Sequence, residues 1–326
     1  MVVPCLNRAG YLAQTIDSIL AQDYQHLECV VVDGGSTDGS VDLLRSYGES
    51  VRWVSEPDRG HADAINKGWQ MSRGTILAWL NADDVYVAVD AVSQIVTYLN
   101  EHPDVGAVYG DYVELDAGGA VISERIQPLP WDLTYAVAYC DHIIPQASSF
   151  MRRSILERVG WLDPEFRYCK DHELWLRLGL AGVVVHVPIL VAGVRVMPGI
   201  SQHLETSWAK VALTEKFLSR GDLPEPLSLR RFRQRALSNA WLVGGFYALN
   251  NGFTRAALAF FGRAVAADVG NLPYITFRLL QYAASFVLPV RARQAVKRAM
   301  VRAGMVDRLH RLPGAGGQTA LRRKWY

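Results

Sequence analysis

Three observations predict an α/β fold, a parallel sheet flanked by helices, followed by an α-helical carboxyl-terminal region. Short β-branched runs alternate with segments of helical spacing over the first hundred residues, the pattern of strand-helix-strand units. Polar clusters directly follow three of those runs, where ligands gather in such sheets. From Thr206 onward strand signals vanish, and Ala, Leu, Arg and aromatic residues recur at helical spacing.

Val2 and Val3 begin a minimal first strand, and Leu12, Ile16, Ile19 and Leu20 fall on one face of the helix after it. Residues 29–32 read as a buried strand closing on Gly34 and Gly35, before a helix with Val41, Leu43 and Leu44. A strand over 51–54, a helix over 62–71, a strand over 75–80, a helix over 89–99 and a strand over 105–109 complete the alternation. Beyond residue 110 the pattern predicts a hairpin around Gly118 and Gly119, a strand over 148–151, a helix over 171–180 and a strand from Val183.

The 326 residues are half apolar, enough for a sizeable core. The net charge of +2 conceals an asymmetry: residues 1–204 hold 14 basic and 26 acidic side chains, net −12, and residues 205–326 hold 20 and 6, net +14. Two domains divided there are expected, 1–204 and 205–326. Cys5, Cys29, Cys140 and Cys169 form no CxxC pair, which excludes a zinc ribbon or disulfide framework and fits a reducing, cytoplasmic compartment. The amino terminus lacks the charged start and apolar run of a secretory signal. The longest apolar stretches, 181–196 and 279–290, are interrupted and fall short of the roughly 18 residues of a spanning helix, so a soluble or peripheral protein is expected.

Asn81-Ala82-Asp83-Asp84 stands where a strand ends. Carboxylates there suit a hard divalent ion that keeps positions open for phosphate oxygens, although a solvated turn or helix cap looks the same. The stretch from Asp33 to Gly39 follows a buried strand and opens a helix, a place where backbone amides and a carboxylate can meet a nucleotide or merely cap the helix. It has neither the lysine of a P-loop nor the spacing of a dinucleotide fingerprint, which removes the ATPase and dehydrogenase readings.

Taken in order, VVPCLNRAGYL, VVVDGGSTDGS, SEPDRGHADAINKGWQMSRGTILAWLNADD and DHELWLRL resemble the family 2 glycosyltransferases of GT-A fold, over residues 1–204. The likeness runs to the branch that makes bacterial surface polysaccharides and glycolipids. It implies a mixed sheet, and metal-dependent, inverting transfer from a nucleoside-diphosphate sugar, with a uridine nucleotide favoured, to a glycan or polyprenyl-linked acceptor at the cytoplasmic membrane face. It implies that Pro4, Leu6, Asn7, Asp33, Asp58, Asn66, Asn81 and Asp83 surround the donor. Asp83 falls at the principal ligand of a Mg2+ or Mn2+ ion, with Asp84 and His203 as further candidates, and Asp171 at the general base.

Three positions depart from the family pattern. Asn81 replaces the first carboxylate of Asp-x-Asp, Gly34 replaces a second carboxylate that can read a uracil edge, and Lys170 stands where glutamate is common. The identity of the base is therefore open. Arg177 suits either diphosphate or a nearby acid, Trp175 either core or sugar platform, and His172 is a further metal or acceptor candidate.

In the basic region, Trp241, Gly245, Gly252, Ala257, Phe261 and Ala264 fall at the offsets of a tetratricopeptide-like hairpin over about 237–270, without its terminal proline. The basic run within about 273–303, with Arg291, Arg293, Lys297, Arg298 and Arg302, suits an interfacial helix on anionic lipid or a helix packed on the acidic domain. No RNA motif or zinc module accompanies the charge, so nucleic acid is not expected as a partner. Two rival readings remain at this level. A sugar-phosphate nucleotidyltransferase would need a glycine-rich basic loop, for which Asn7-Arg8-Ala9-Gly10 is a poor substitute, and a catalytically silent glycan-binding scaffold would fit the three departures.

Overall fold

A computed structural model describes residues 1–140, 144–196, 204–271 and Thr276. The chain divides into two compact units, Met1–Leu133 with His142–Ile200, and Thr134–Asp141 with Ser201–Tyr326.

In the first unit, β1 (Val2–Cys5), β2 (Val30–Asp33) and β3 (Arg52–Ser55) form a parallel sheet with β2 in the middle. Every residue of β1 and β2 is buried, as expected for parallel strands covered on both faces. The helices α1 (Ala9–Leu20), α2 (Ser40–Ser46) and α3 (His61–Met71) make the connections. Gly68 explains how α3 lies so close to the sheet, since a Cβ there would stand 2.4 Å from Val2 Cγ1. Leu12, Ile16 and Ile19 of α1 are fully buried in the core with Val3 and Val31.

A second, five-stranded sheet has the order β4-β7-β6-β8-β5. It comprises β4 (Ile76–Leu77), β5 (Val85–Tyr86), β6 (Val105–Leu115), β7 (Ser149–Arg152) and β8 (Val183–Arg195). Only β6 and β8 run parallel; the other pairings are antiparallel. Helix α4 (Ala91–Glu101) precedes β6, while α6 (Arg153–Val159) and α7 (Lys170–Ala181) lie between β7 and β8. The strand predicted over 75–80 changes partner midway: Ile76 and Leu77 pair with β7, whereas Val2 hydrogen-bonds Ala78 and Leu80 on either side of a parallel bridge to Trp79. That segment joins the two sheets. The predicted hairpin around Gly118 and Gly119 is present, closed by bridges of Leu115 to Val121 and Tyr112 to Ile126.

The second unit is helical, with α5 (Leu133–Tyr139), α8 (Leu204–Leu218), α9 (Arg230–Asn250) and α10 (Thr254–Ala267). α9 and α10 form an antiparallel hairpin that begins earlier than the predicted 237. Its helices approach closely because Gly244 and Gly245 face Phe260 and Phe261; a Cβ at Gly245 would stand 2.4 Å from Phe261 Cε1. Asn239 donates a hydrogen bond to the Ala138 carbonyl at 2.7 Å, tying α5 to α9. The Arg263 guanidinium lies over Trp241 and Trp208, at 4.7 and 5.5 Å from the ring centroids. No helix of the described residues is long and apolar enough to cross a membrane. The basic helix expected over 273–303 lies outside the described residues, apart from Thr276.

Candidate active site

The strand register sets Cys5 beside Asp33 and Asp33 beside Ser55, so three strands end level at their carboxyl ends. The loops that follow are laced together. Asn7, in the left-handed region at φ 53°, donates its amide to Ser36 Oγ at 2.7 Å and accepts from the Thr37 amide at 2.9 Å. The Ala9 amide at the start of α1 donates to Asp38 Oδ2 at 2.9 Å. Asp33 is buried and accepts from the amides of Gly35 and Ser36 and the hydroxyls of Ser36 and Ser55. Burial alone would raise its carboxyl pKa, but these hydrogen bonds outweigh it and hold the group below the ordinary carboxylate range. Asp33 thus shapes the loop. Pro4 is buried in β1, whereas Leu6 is 54% exposed just beyond it.

Asp58 follows β3. Its Oδ1 accepts from the Gly60 amide at 2.8 Å and its Oδ2 lies directly over Gly34. Asn66 turns elsewhere: its amide spans the backbone of Leu162, donating to the carbonyl at 2.7 Å and accepting from the N–H at 3.1 Å. It pins the segment leading to α7 and keeps one N–H and one oxygen lone pair for a further partner.

The turn from Asn81 to Asp84 is closed by a backbone hydrogen bond of 3.0 Å. Asp83 is partly covered, its side chain 15% exposed, with the Arg8 guanidinium 3.7 Å away. Asp84 points inward: Oδ1 accepts from the Arg195 amide at 2.9 Å and Oδ2 from the Asn81 amide at 3.1 Å. Arg195 is itself buried and donates to the carbonyls of Asp83, Asp116 and Ala117 and to Gln14 Oε1, with its guanidinium over the Tyr11 ring. The metal expectation is thereby narrowed, because both oxygens of Asp84 are engaged within the protein. His203 lies outside the described residues. Among the described residues no group of three or more His, Cys, Asp or Glu gathers as a metal cage. One carboxylate, Asp83, still fits a Mg2+-type ion, which is commonly held by one or two carboxylates together with substrate phosphates.

Burial, with the neighbouring Asp83 charge, pushes the Asp84 carboxyl up from 3.8 to about 7. The folded chain therefore holds a proton there that the unfolded chain releases. Its stabilising contribution is complete below about pH 4 and is lost as pH rises through the folded value, at about 1.4 kcal/mol for each pH unit that separates the unfolded and folded values. A carboxyl 13C titration of the metal-free protein is expected to show one aspartate with a midpoint near 7 that disappears in Asp84→Asn. A highest midpoint below 5 would contradict the burial.

Asp171 lies in the first turn of α7, after Cys169 at φ 60°. His61, which the sequence pattern does not single out, begins α3, and its Nε2 lies 3.1 Å from Asn81 Oδ1. Asn81 uses its N–H group on Asp84, so its oxygen accepts and the histidine proton is assigned to Nε2. His61 keeps surface exposure yet is ringed by protein atoms. That surrounding, and next the Lys170 ammonium, pull its pKa well below the histidine range, with Asn81 and Asp171 opposing. Lys170 is likewise lowered by burial, against the Asp171 charge. Asn81 thus bonds the imidazole, and the charges of residues 170 and 171 act on it. The signal available in the sequence was the polar cluster from Glu56 to Asp63, which contains His61.

Other candidates serve the scaffold. Arg177 pairs with Glu173, Nε to Oε1 at 2.7 Å and Nη2 to Oε2 at 2.6 Å, and donates to the carbonyls of Val159, Gly160 and Trp161. Of its two expected roles, the acid pairing is the one observed, and the bonds close the end of α6. Trp175 is 1% exposed and stacks on Trp79, so it is a core wall and offers no platform to a sugar. His172 is buried.

The parallel β1–β3 sheet with level strand ends, continued into a mixed sheet, is the GT-A fold of the solved glycosyltransferases it aligns with. The chain belongs to glycosyltransferase family 2. A family model described as glycosyl transferase family 2 matches residues 1–160. An uncharacterized glycosyltransferase of Mycobacterium tuberculosis is 30% identical over 251 residues, 76% of this chain and 91% of its own length. A PGL/p-HBAD biosynthesis glycosyltransferase of Mycobacterium bovis is 28% identical over 240 residues, covering 71% and 86%. Among solved structures, S. aureus TarS 1-349 in complex with UDP aligns with a TM-score of 0.60 at 16% identity, covering 85% of each chain. The mannosyltransferase PcManGT from Pyrobaculum calidifontis, in complex with GDP-Man and Mn2+, aligns at 0.58 and 22%, covering 95% of this chain and 86% of the other. These likenesses carry the fold, and the family assignment makes the chain a transferase enzyme, setting aside the nucleotidyltransferase and silent-scaffold readings.

Proposed function

We propose that the protein is a metal-dependent inverting glycosyltransferase that moves a sugar from a nucleoside diphosphate to a hydroxyl of a glycan or lipid-linked acceptor in surface polysaccharide or glycolipid synthesis. The observation that carries this reading is the hydrogen bond between His61 and Asn81 of the proposed metal turn, on a ring that the charges of Lys170 and Asp171 also act upon. A leaving-group site and a proton-accepting carboxylate are wanted near one another.

In this reading the loops after β1, β2 and β3 cradle the nucleoside. Asp83 would hold Mg2+ or Mn2+, and such an ion, when bound, would supply positive charge to the departing diphosphate. Arg8, already beside Asp83, adds a second cation at the same edge. Asp171 accepts the proton of the acceptor hydroxyl as its oxygen bonds the anomeric carbon from the face opposite the leaving group, which inverts that centre. The neighbours solved with UDP and with GDP-Man and Mn2+ support a nucleotide-sugar donor and a divalent ion. The +14 charge of residues 205–326 supports peripheral contact with anionic lipid at the cytoplasmic membrane face, where a polyprenyl-linked acceptor would lie.

A panel of nucleoside-diphosphate sugars tests the reading. Release of nucleoside diphosphate is expected with Mn2+ or Mg2+, abolished by chelation, with the product anomer inverted by NMR. Absence of turnover and binding across the panel, or retention at the anomeric carbon, would remove it.

A further inference from the structure

Gly34 stands where many family members carry a second aspartate, and the structure holds a carboxylate at that place from a different element. A Cβ built on Gly34 would stand 2.6 Å from Asp58 Oδ2 and 3.3 Å from Asp58 Cγ. Within an aspartate the Cβ-to-Oδ separation is about 2.4 Å, the distance set by carbon-carbon and carbonyl bond lengths. Asp58 Oδ2 therefore lies against the face of residue 34 from which a side chain would leave, and an aspartate at 34 would require the Asp58 carboxylate to shift.

Two further features make this oxygen a reader. Oδ1 is held by the Gly60 amide, which fixes the carboxylate, and Oδ2 has no hydrogen-bond donor among the described residues. Beside it, Leu6 Cδ1 lies 3.5 Å from the same Cβ position, on a side chain 54% exposed. An open acceptor next to an exposed apolar side chain, at the level ends of β1, β2 and β3, suits a planar base with a polar edge.

We propose that Asp58 is the base-specificity residue of this enzyme, relocated from position 34, and that it selects nucleotides whose base carries a ring N–H. An ionised carboxylate accepts and does not donate. It pairs with the N3–H of uracil or the N1–H and amino group of guanine, and it repels the ring-nitrogen lone pair that cytosine and adenine present. This rests on the reading of the site as a nucleotide-sugar site, and its test separates the two.

Calorimetric titration of the full chain with UDP, GDP, CDP and ADP gives the base preference without a donor sugar or acceptor. UDP or GDP is expected to bind at least about tenfold more tightly than CDP and ADP, the scale of one hydrogen bond to a charged group. Asp58→Asn should cut that ratio at least about fivefold while CDP affinity holds or rises, because the amide can donate to the cytosine ring nitrogen. Gly34→Asp combined with Asp58→Ala should restore the preference by returning the carboxylate to residue 34, an outcome that a merely structural Asp58 would not give. An Asp58→Asn protein that binds UDP or GDP with the wild-type ratio overturns the assignment, as does wild-type preference for CDP or ADP. Failure of all four to bind overturns the nucleotide-sugar reading beneath it.

Discussion

Asp171→Asn is expected to lower the rate of sugar transfer by about 10²–10⁴-fold, the usual contribution of a positioned base, while donor binding stays within about twofold. The amide keeps the size and position of the side chain at the first turn of α7 but cannot take the acceptor proton. The split is what distinguishes a base from a folding residue: kcat falls, and nucleoside-diphosphate affinity, set by the loops after β1 to β3, does not. The test is single-turnover transfer together with calorimetric titration of the nucleotide. Full transfer by Asp171→Asn would move the role to another group, and His61, which shares the electrostatic neighbourhood of Asp171, is the next to substitute.

Arg195→Met is expected to destabilise the first unit by about 3–5 kcal/mol, near the low end of leaving four buried neutral acceptors without a donor at roughly 1–3 kcal/mol each. Arg195 is 5% exposed, and three carbonyls, Gln14 Oε1 and the Tyr11 ring rely on its guanidinium. Methionine fills much of the volume but leaves those buried acceptors without a donor, and unmet acceptors are the larger part of the cost. At roughly 2–4 °C per kcal/mol for a unit of this size, the melting temperature should fall by about 6–20 °C. Lysine, with a point charge and no planar fork, should recover only part of the loss. A calorimetric shift below 2 °C in the methionine variant would show that α1 and the hairpin after β6 satisfy their carbonyls without it.

The first strands and the polar loops at their ends were readable because both rest on local signals. Two buried runs, 2–3 and 29–32, each close on polar residues, and the register sets those ends side by side. Residues that act through partners distant in sequence were not readable. Asp83 and Asp84 look equivalent as neighbours, yet Asp84 is drawn inside by the amide of residue 195 and Asp83 is not. Asn66 is expected at the donor, and its amide also bonds Leu162, 96 positions away, a contact that no local pattern announces. Trp175 and Arg177 stand on the same helix as Asp171, but helical rotation and the packing of α6 and Trp79 turn them to the scaffold. The long parallel pairing of β6 with β8 is equally non-local, and a strand pattern alone does not say which strand lies beside it.

The placement of α5 matters most for how the enzyme can be dissected. Its apolar run, LTYAVAY, would suit either half of the chain, but Thr134–Asp141 belongs by packing with the helices that begin after residue 200. The polypeptide therefore enters the helical unit, leaves it, completes the mixed sheet with β7 and β8, and enters it again. The catalytic half is not a bead that can be cut from a string. A protein ended at residue 204 would keep α5 while discarding α9, whose Asn239 bonds the Ala138 carbonyl. It would present an orphaned apolar helix to water, and loss of activity in such a truncation would report that exposed helix as readily as a lost recruitment surface.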